Sequence, residues 1–234
     1  MTVFSRVLIN PGKREGRALL LNPQAMHAAV RSLFPPDLHG DDGGRVLWRV
    51  DSPSAHTHLL YVVSPEAPDA TELVDKAGWV TRPAQSVDYS PMLEGLRTGQ
   101  EWAFRLRANP VHSAPRGQGP RGRLYAHVTV AQQTQWLVDK AGRHGFEVVS
   151  ETRPSPEGED VVVHRVTVTN RKDLHFNRYD PKRGRRDRVT IRQAQFDGLL
   201  RVTDASSLRL ALVRGIGRGK AYGCGLLTLA RPGS

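Results

Sequence analysis

The residues with the best geometry for chemistry lie near the start of the chain. Gln24, His27 and Arg31 fall three and four residues apart, so on a helix of period 3.6 they share one face. Met26, Val30 and Leu33 form an apolar stripe beside that face. A lone helical histidine is more often structural than catalytic. Here the imidazole points away from the stripe, one turn from a guanidinium. Imidazole titrates near neutral pH and suits general acid–base work. Arginine binds phosphate through a planar fork. The pair could therefore move a proton beside a bound phosphate. His56 and His58 could share a strand face, but a third ligand is missing and no metal site is expected. Cys224 reads as a buried structural thiol rather than a nucleophile.

A second constellation is the glycine-rich run Gly215-Ile-Gly217-Arg-Gly219-Lys220-Ala-Tyr222-Gly223-Cys-Gly225. A helix precedes it and a strand follows, the reverse of a dinucleotide-binding turn, and the Walker spacing is absent. Two readings stay open. The loop could approach a nucleic acid closely, with Arg218 and Lys220 on phosphate. It could equally be a plain helix-to-strand turn with glycine caps.

The elements needed to hold these groups can be read along the chain. Thr2 to Leu8 alternates as a strand. Asn22-Pro23 opens a helix that stops at Pro35-Pro36. Val46 to Val50 and Leu59 to Val63 read as strands, Asp69 to Lys76 as a short helix, and Val80 to Asp88 and Trp102 to Ala108 as extended. The Gly-, Pro- and Arg-rich stretch from Ser113 to Arg123 resembles a linker. The second half repeats the pattern. It has a helix over Val130–Ala141, a strand over Phe146–Thr152 and long strands over Val161–Thr169 and Val189–Val202 around a charged tip. A helix capped at Asp204 or Ser206 and a last strand over Gly225–Ala230 complete it. The expected class is α+β, two tandem ferredoxin-like (RRM-like) βαββαβ domains over residues 1–112 and 124–234, joined by 113–123.

The charge narrows the partner. Thirty-four Lys plus Arg against 23 Asp plus Glu give a net +11. Arg171 to Arg188 holds eight basic residues and three acids; Arg105 to Arg123 holds five Arg and no acid. Two windows thus carry nearly all the excess, and His175, Phe176 and Tyr179 interleave with one of them. Rings among arginines suit RNA, where stacking supplements phosphate contacts. The longest apolar run, Leu59 to Val63, is far short of the ~20 residues a span needs, so no membrane partner is expected. No secretory leader is expected either, and the single cysteine fits a reducing compartment.

Two stretches, Phe104-Arg-Leu-Arg-Ala-Asn-Pro110 and Gly215-Ile-Gly-Arg-Gly-Lys-Ala-Tyr-Gly-Cys-Gly-Leu226, closely resemble signatures of the CasE family. This is the CRISPR repeat-processing endoribonuclease of type I-E systems. The opening strand, the helix bearing His27 and its end at Leu33-Phe34-Pro35 resemble the family too. The resemblance implies RNA lying across two ferredoxin-like domains. It implies metal-independent, cofactor-free cleavage at the 3′ base of each repeat hairpin. It also implies a cytoplasmic protein, monomeric when free, that keeps its mature guide RNA and joins the other subunits of Cascade.

The family's helix histidine falls on His27. Gln24 stands where members often carry a tyrosine. It can hydrogen-bond a phosphate or a 2′-OH but cannot act as a phenolic acid or base. Arg31 and Lys220 become candidate charge stabilisers. Arg105, Arg107, Arg178, Lys182, Arg183, Arg185, Arg186, Arg188, Arg218 and Lys220 become RNA contacts. A non-catalytic stem-loop-binding module of the same fold is the alternative, followed by a structural RNA binder of ribosomal type.

Overall fold

The computed structural model describes residues 1–39, 45–114, 123–154, 159–180 and 184–233. Backbone contacts divide the chain into two units. One comprises Met1–Leu96, Arg209–Ile216 and Lys220–Leu226; the other comprises Arg97–Leu208, Gly217–Gly219 and Leu227–Ser234.

The first unit runs β1 (Val3–Ile9), α1 (Arg14–Leu21), α2 (Pro23–Arg31), β2 (Leu47–Ser54), β3 (Thr57–Ser64), α3 (Thr71–Ala77), β4 (Gln85–Asp88) and α4 (Ser90–Glu94). Its sheet order is β2-β3-β1-β4, antiparallel throughout, which is the ferredoxin-like order. Strand β1 alternates, with Val3, Ser5, Val7 and Ile9 all buried. One face of the sheet meets Met26, Val30, Leu33, Leu73 and Val74 in the core. The other carries Phe4 stacked between Tyr61 and Tyr89, at 5.6 and 5.3 Å between ring centres. Between β1 and α2 the basic stretch is helical from Arg14, because α1 lays Leu19 and Leu20 against that core.

The second unit runs β5 (Glu101–Ala108), β6 (Val111–Ala114), β7 (Arg123–Ala126), α5 (Val130–Ala141), β8 (Phe146–Val148), β9 (Ser150–Pro154), β10 (Asp160–His164), β11 (Val166–Asp180) and β12 (Arg185–Val202). Helix α6 (Ala205–Arg214) passes from this unit into the first, and β13 (Leu227–Ala230) returns. The main sheet is ordered β11-β12-β5-β13, with β8 also on β12. Read as β5-α5-β11-β12-α6-β13, this is the ferredoxin-like order again, so the expected fold class holds. Phe104, Leu106, Trp136, Phe146, Phe196 and Leu200 are buried in its core.

The chain divides elsewhere than at the expected 113–123 linker. Strand β5 pairs with Ala194–Arg201 of β12 and with Leu227–Ala230 of β13, so Trp102 to Ala108 opens the second sheet instead of closing the first. The first sheet closes with Gln85–Asp88 on β1. The stretch 113–123 takes in the end of β6 and the first residue of β7, which pair as a two-stranded ribbon, and its residues 115–122 fall outside the described residues. The expected strand Phe146–Thr152 is two strands, broken where Val149 N–H turns to Leu199 O (3.0 Å). Val161 likewise belongs to β10, which pairs with β9 rather than running on into β11.

Candidate active site

Helix α2 is fixed at its start by local chemistry. Asn22 Oδ1 accepts from the N–H groups of Gln24 (2.9 Å) and Ala25 (3.3 Å), and Pro23 takes the first helical position. Met26 and Val30 are 1% exposed, each burial contributing about 1.5–3 kcal/mol. That anchorage turns the Gln24–His27–Arg31 face away from the core. His27 and Gln24 are half-buried and Arg31 is exposed.

The glycine-rich run reaches the same helix. Lys220–Tyr222 forms one 3-10 turn that packs on α2. The Tyr222 ring lies 6.4 Å from the His27 ring, tilted by 56°. Two devices hold this turn. Gly223 (φ 75°) lets the backbone press on Trp48; a Cβ there would sit 2.7 Å from the indole. Further on, buried Arg49 donates to both oxygens of Asp51 (2.7 and 2.9 Å) and to the carbonyl of Leu226 (3.0 Å), pinning the end of the run to β2. Burial pushes the Lys220 ammonium below its ordinary range, and nearby Arg45 adds to the shift. An ammonium partly stripped of water gains more from a phosphate than a fully hydrated one does.

His27, Gln24, Arg31 and Lys220 all belong to the first unit, and the structure brings Lys220's turn to the helix of the other three. Tyr222 went without a role in the sequence. It stands almost two hundred residues from His27, and its only signal was its place in the glycine-rich run. Arg218 is exposed in the second unit, where its backbone bridges to Asn109.

The basic residues divide by partner. Arg105 is not a bare cation: its Nε donates to Asp197 Oδ1, and Gln195 Nε2 donates to the other oxygen at 2.6 Å. Arg107 donates to Gln195 Oε1 at 3.3 Å. Hairpin β11–β12 carries the described backbone of the Arg171–Arg188 window on its strands, up to Asp180 and from Arg185. Arg185 pairs with Asp187 on one face (3.0 Å). Arg186 and Arg188 lie on the opposite face and are exposed. Lys182, Arg183 and the side chain of Arg178 fall outside the described residues. Among the described residues, no three His, Cys, Asp or Glu converge as a metal site would require.

Residues 3–231 match the family model described as "CRISPR associated protein". The chain belongs to this family of CRISPR-associated proteins. It is 27% identical to the CRISPR-associated endoribonuclease Cse3 of Thermus thermophilus, over 97% of this chain and 99% of that one. Over 143 residues (58% of this chain and 60% of the other) it is 31% identical to the CRISPR system Cascade subunit CasE of Escherichia coli. The structure of Thermus thermophilus Cse3 bound to an RNA representing a pre-cleavage complex superimposes with a TM-score of 0.75, at 26% identity and 98% coverage of both chains. The expected CasE-type membership of the CRISPR-associated chain is borne out.

Proposed function

We propose that this chain is the endoribonuclease that cuts CRISPR repeat RNA at the 3′ base of its stem-loop, without a metal ion. The observation that carries the reading is His27, held on α2 against the turn bearing Lys220 and Tyr222. RNA brings its own nucleophile. Its 2′-OH attacks the adjacent phosphorus in line, the P–O5′ bond breaks, and the products are a 2′,3′-cyclic phosphate and a 5′-OH. One proton must leave the 2′-oxygen and one must reach the 5′-oxygen. His27 serves one of these transfers. Lys220 and Arg31 supply positive charge to the phosphorane, where negative charge builds up. A positioned acid or base contributes about 10²–10⁴-fold, which suffices for a processor that keeps its product.

The family match and the likeness to Cse3 support RNA as substrate, and the likeness to CasE supports assembly into Cascade. No helix among the described residues is long and apolar enough to cross a membrane. With the one cysteine buried and reduced, the cytoplasm fits as the site of action, with the chain monomeric until it assembles. Gln24, lacking a phenol, is what the non-catalytic alternative rests on.

One assay decides. Cognate repeat RNA is incubated with the protein in EDTA, beside the same RNA carrying a 2′-deoxy sugar before the scissile phosphate. We expect cleavage of the first to a cyclic phosphate and none of the second. Dependence on a divalent ion, or normal cutting of the deoxy substrate, would refute the mechanism.

A further inference from the structure

Helices α1, α2 and α3 of the first unit leave a groove between them that the cleavage site does not use. Its volume is about 280 Å³. Leu19, Leu33 and Leu73 line its floor. Glu15, Asp69, Glu72 and Lys76 stand on its rim, all exposed. Helical spacing explains the division. Glu15 and Leu19 are one turn apart on α1, and Glu72 and Leu73 lie one turn before Lys76 on α3. From α2 comes Ala29, on the far side of that helix from His27 and Arg31.

The groove is held open by its frame. Gly16 lets α1 press close: a Cβ there would sit 2.0 Å from Asn10 O and 2.9 Å from Ala77 O. Lys13 Nζ donates to the Asp75 carbonyl (2.6 Å) and ties the start of α1 to the end of α3. The Asp69 N–H donates to Leu33 O (2.9 Å) and ties the approach to α3 to the residues just past α2.

The charge of the groove opposes that of the chain. Three carboxylates and one ammonium leave −2 here, against +11 overall. Lys76 pairs with Glu72, but both are exposed, and such a pair is weak enough to exchange for a better partner. Asp69 accepts from the Thr71 N–H (3.0 Å) and keeps its charge. A phosphate is repelled at this rim, so RNA does not suit it. A cationic segment, repelled by the chain as a whole, is attracted here. The lining comes from helices and the residues just before α3, which offer an extended peptide no strand edge to pair with. A helix satisfies its own backbone and needs only side-chain contacts.

We propose that this groove docks a short amphipathic helix of a partner protein, with an apolar side chain on the leucine floor and Lys or Arg against Glu15, Asp69 and Glu72. The site goes beyond the cleavage reading and does not depend on it.

The test uses the full chain and a labelled synthetic peptide of about 15 residues, Leu along one helical face and Lys on the rest, long enough to form a helix. Its counterpart carries Glu for every Lys. By fluorescence anisotropy we expect the Lys peptide to bind, less tightly as salt rises, and the Glu peptide not to bind. Glu15→Lys with Glu72→Lys should weaken the Lys peptide at least about tenfold, and the paired Gln variants should weaken it less. Thermal midpoints should stay near wild type, since these side chains are exposed, and hairpin cleavage should be unchanged. Amide shifts on adding the Lys peptide should gather on α1, α3 and the end of α2. Equal binding of both peptides, affinity untouched by charge reversal, or shifts centred on the second unit would each overturn the site. The same amide shifts on adding hairpin RNA instead would make nucleic acid the occupant and overturn it too. So would dimerisation that Glu15→Lys with Glu72→Lys abolishes, which would make the occupant a second copy of this chain.

Discussion

The imidazole of His27 and the phenol ring of Tyr222 lie 6.4 Å apart, although one sits on the second helix and the other in the glycine-rich run near the end of the chain. With Gln24 on the same helix face, the aromatic neighbour of the histidine comes from a distant loop and not from its own helix. Tyr222 is only 9% exposed, so its ring limits where the imidazole can turn.

Removing that ring should loosen the histidine. Tyr222→Ala is expected to lower the single-turnover cleavage rate about 10–100-fold, the scale of an ångström-sized misplacement. Hairpin affinity, measured by filter binding, should change by less than about twofold. Tyr222→Phe keeps the ring and should retain most of the rate if positioning is its role. A Phe variant as slow as Ala would give the hydroxyl a direct part in proton transfer.

The arginines are expected to differ by partner. Arg186→Glu with Arg188→Glu, on the exposed face of β12, should weaken hairpin binding and lower the slope of log K against log salt by about one for each phosphate no longer neutralised. Arg105→Gln should change that slope less, because Asp197 already compensates Arg105. Equal slopes for the two variants would show that this ion pair opens on RNA.

Gly223 should tolerate no side chain. Its φ of 75° and the 2.7 Å approach to Trp48 make Gly223→Ala strained in backbone and contact alike. A loss of about 2–4 kcal/mol is expected from the left-handed penalty and overpacking together, read as a lowered urea midpoint.

Tyr89 gives the first unit an alkaline limit. Burial raises its hydroxyl from 10.0 to about 12. The folded state holds the proton longer than the unfolded state. This stabilisation is therefore full below about pH 10 and is lost as pH rises toward 12. At about 1.4 kcal/mol per pH unit, the loss approaches 3 kcal/mol. Tyr89→Phe should flatten the fall in thermal midpoint across that range.

Locally encoded features were legible in the sequence. Asn22-Pro23 starts α2, Thr129 and Gln132 make a capping box on α5, and Asp204 caps α6 through the N–H groups of Ser206 and Ser207. Features set by distant pairing were not. Val80 to Asp88 and Trp102 to Ala108 both read as extended, and only hydrogen bonding to β1 or to β12 decides which sheet each joins. The described charged residues of β11–β12 next to the tip are mostly exposed, so no apolar alternation showed how far the two strands run into the charged tip. Asp197 lies 92 residues from the Arg105 it neutralises, and Tyr222 is more remote still from His27; spacing rules reach neither.

The central claim is that His27 carries chemistry rather than grip. Its most direct measurement is the single-turnover cleavage rate of His27→Ala on cognate repeat RNA, taken beside the dissociation constant for the same hairpin. We expect the rate to fall by about 10²–10⁴-fold with affinity within about twofold of wild type. Cleavage that persists near the wild-type rate, or affinity lost in proportion to rate, would contradict it.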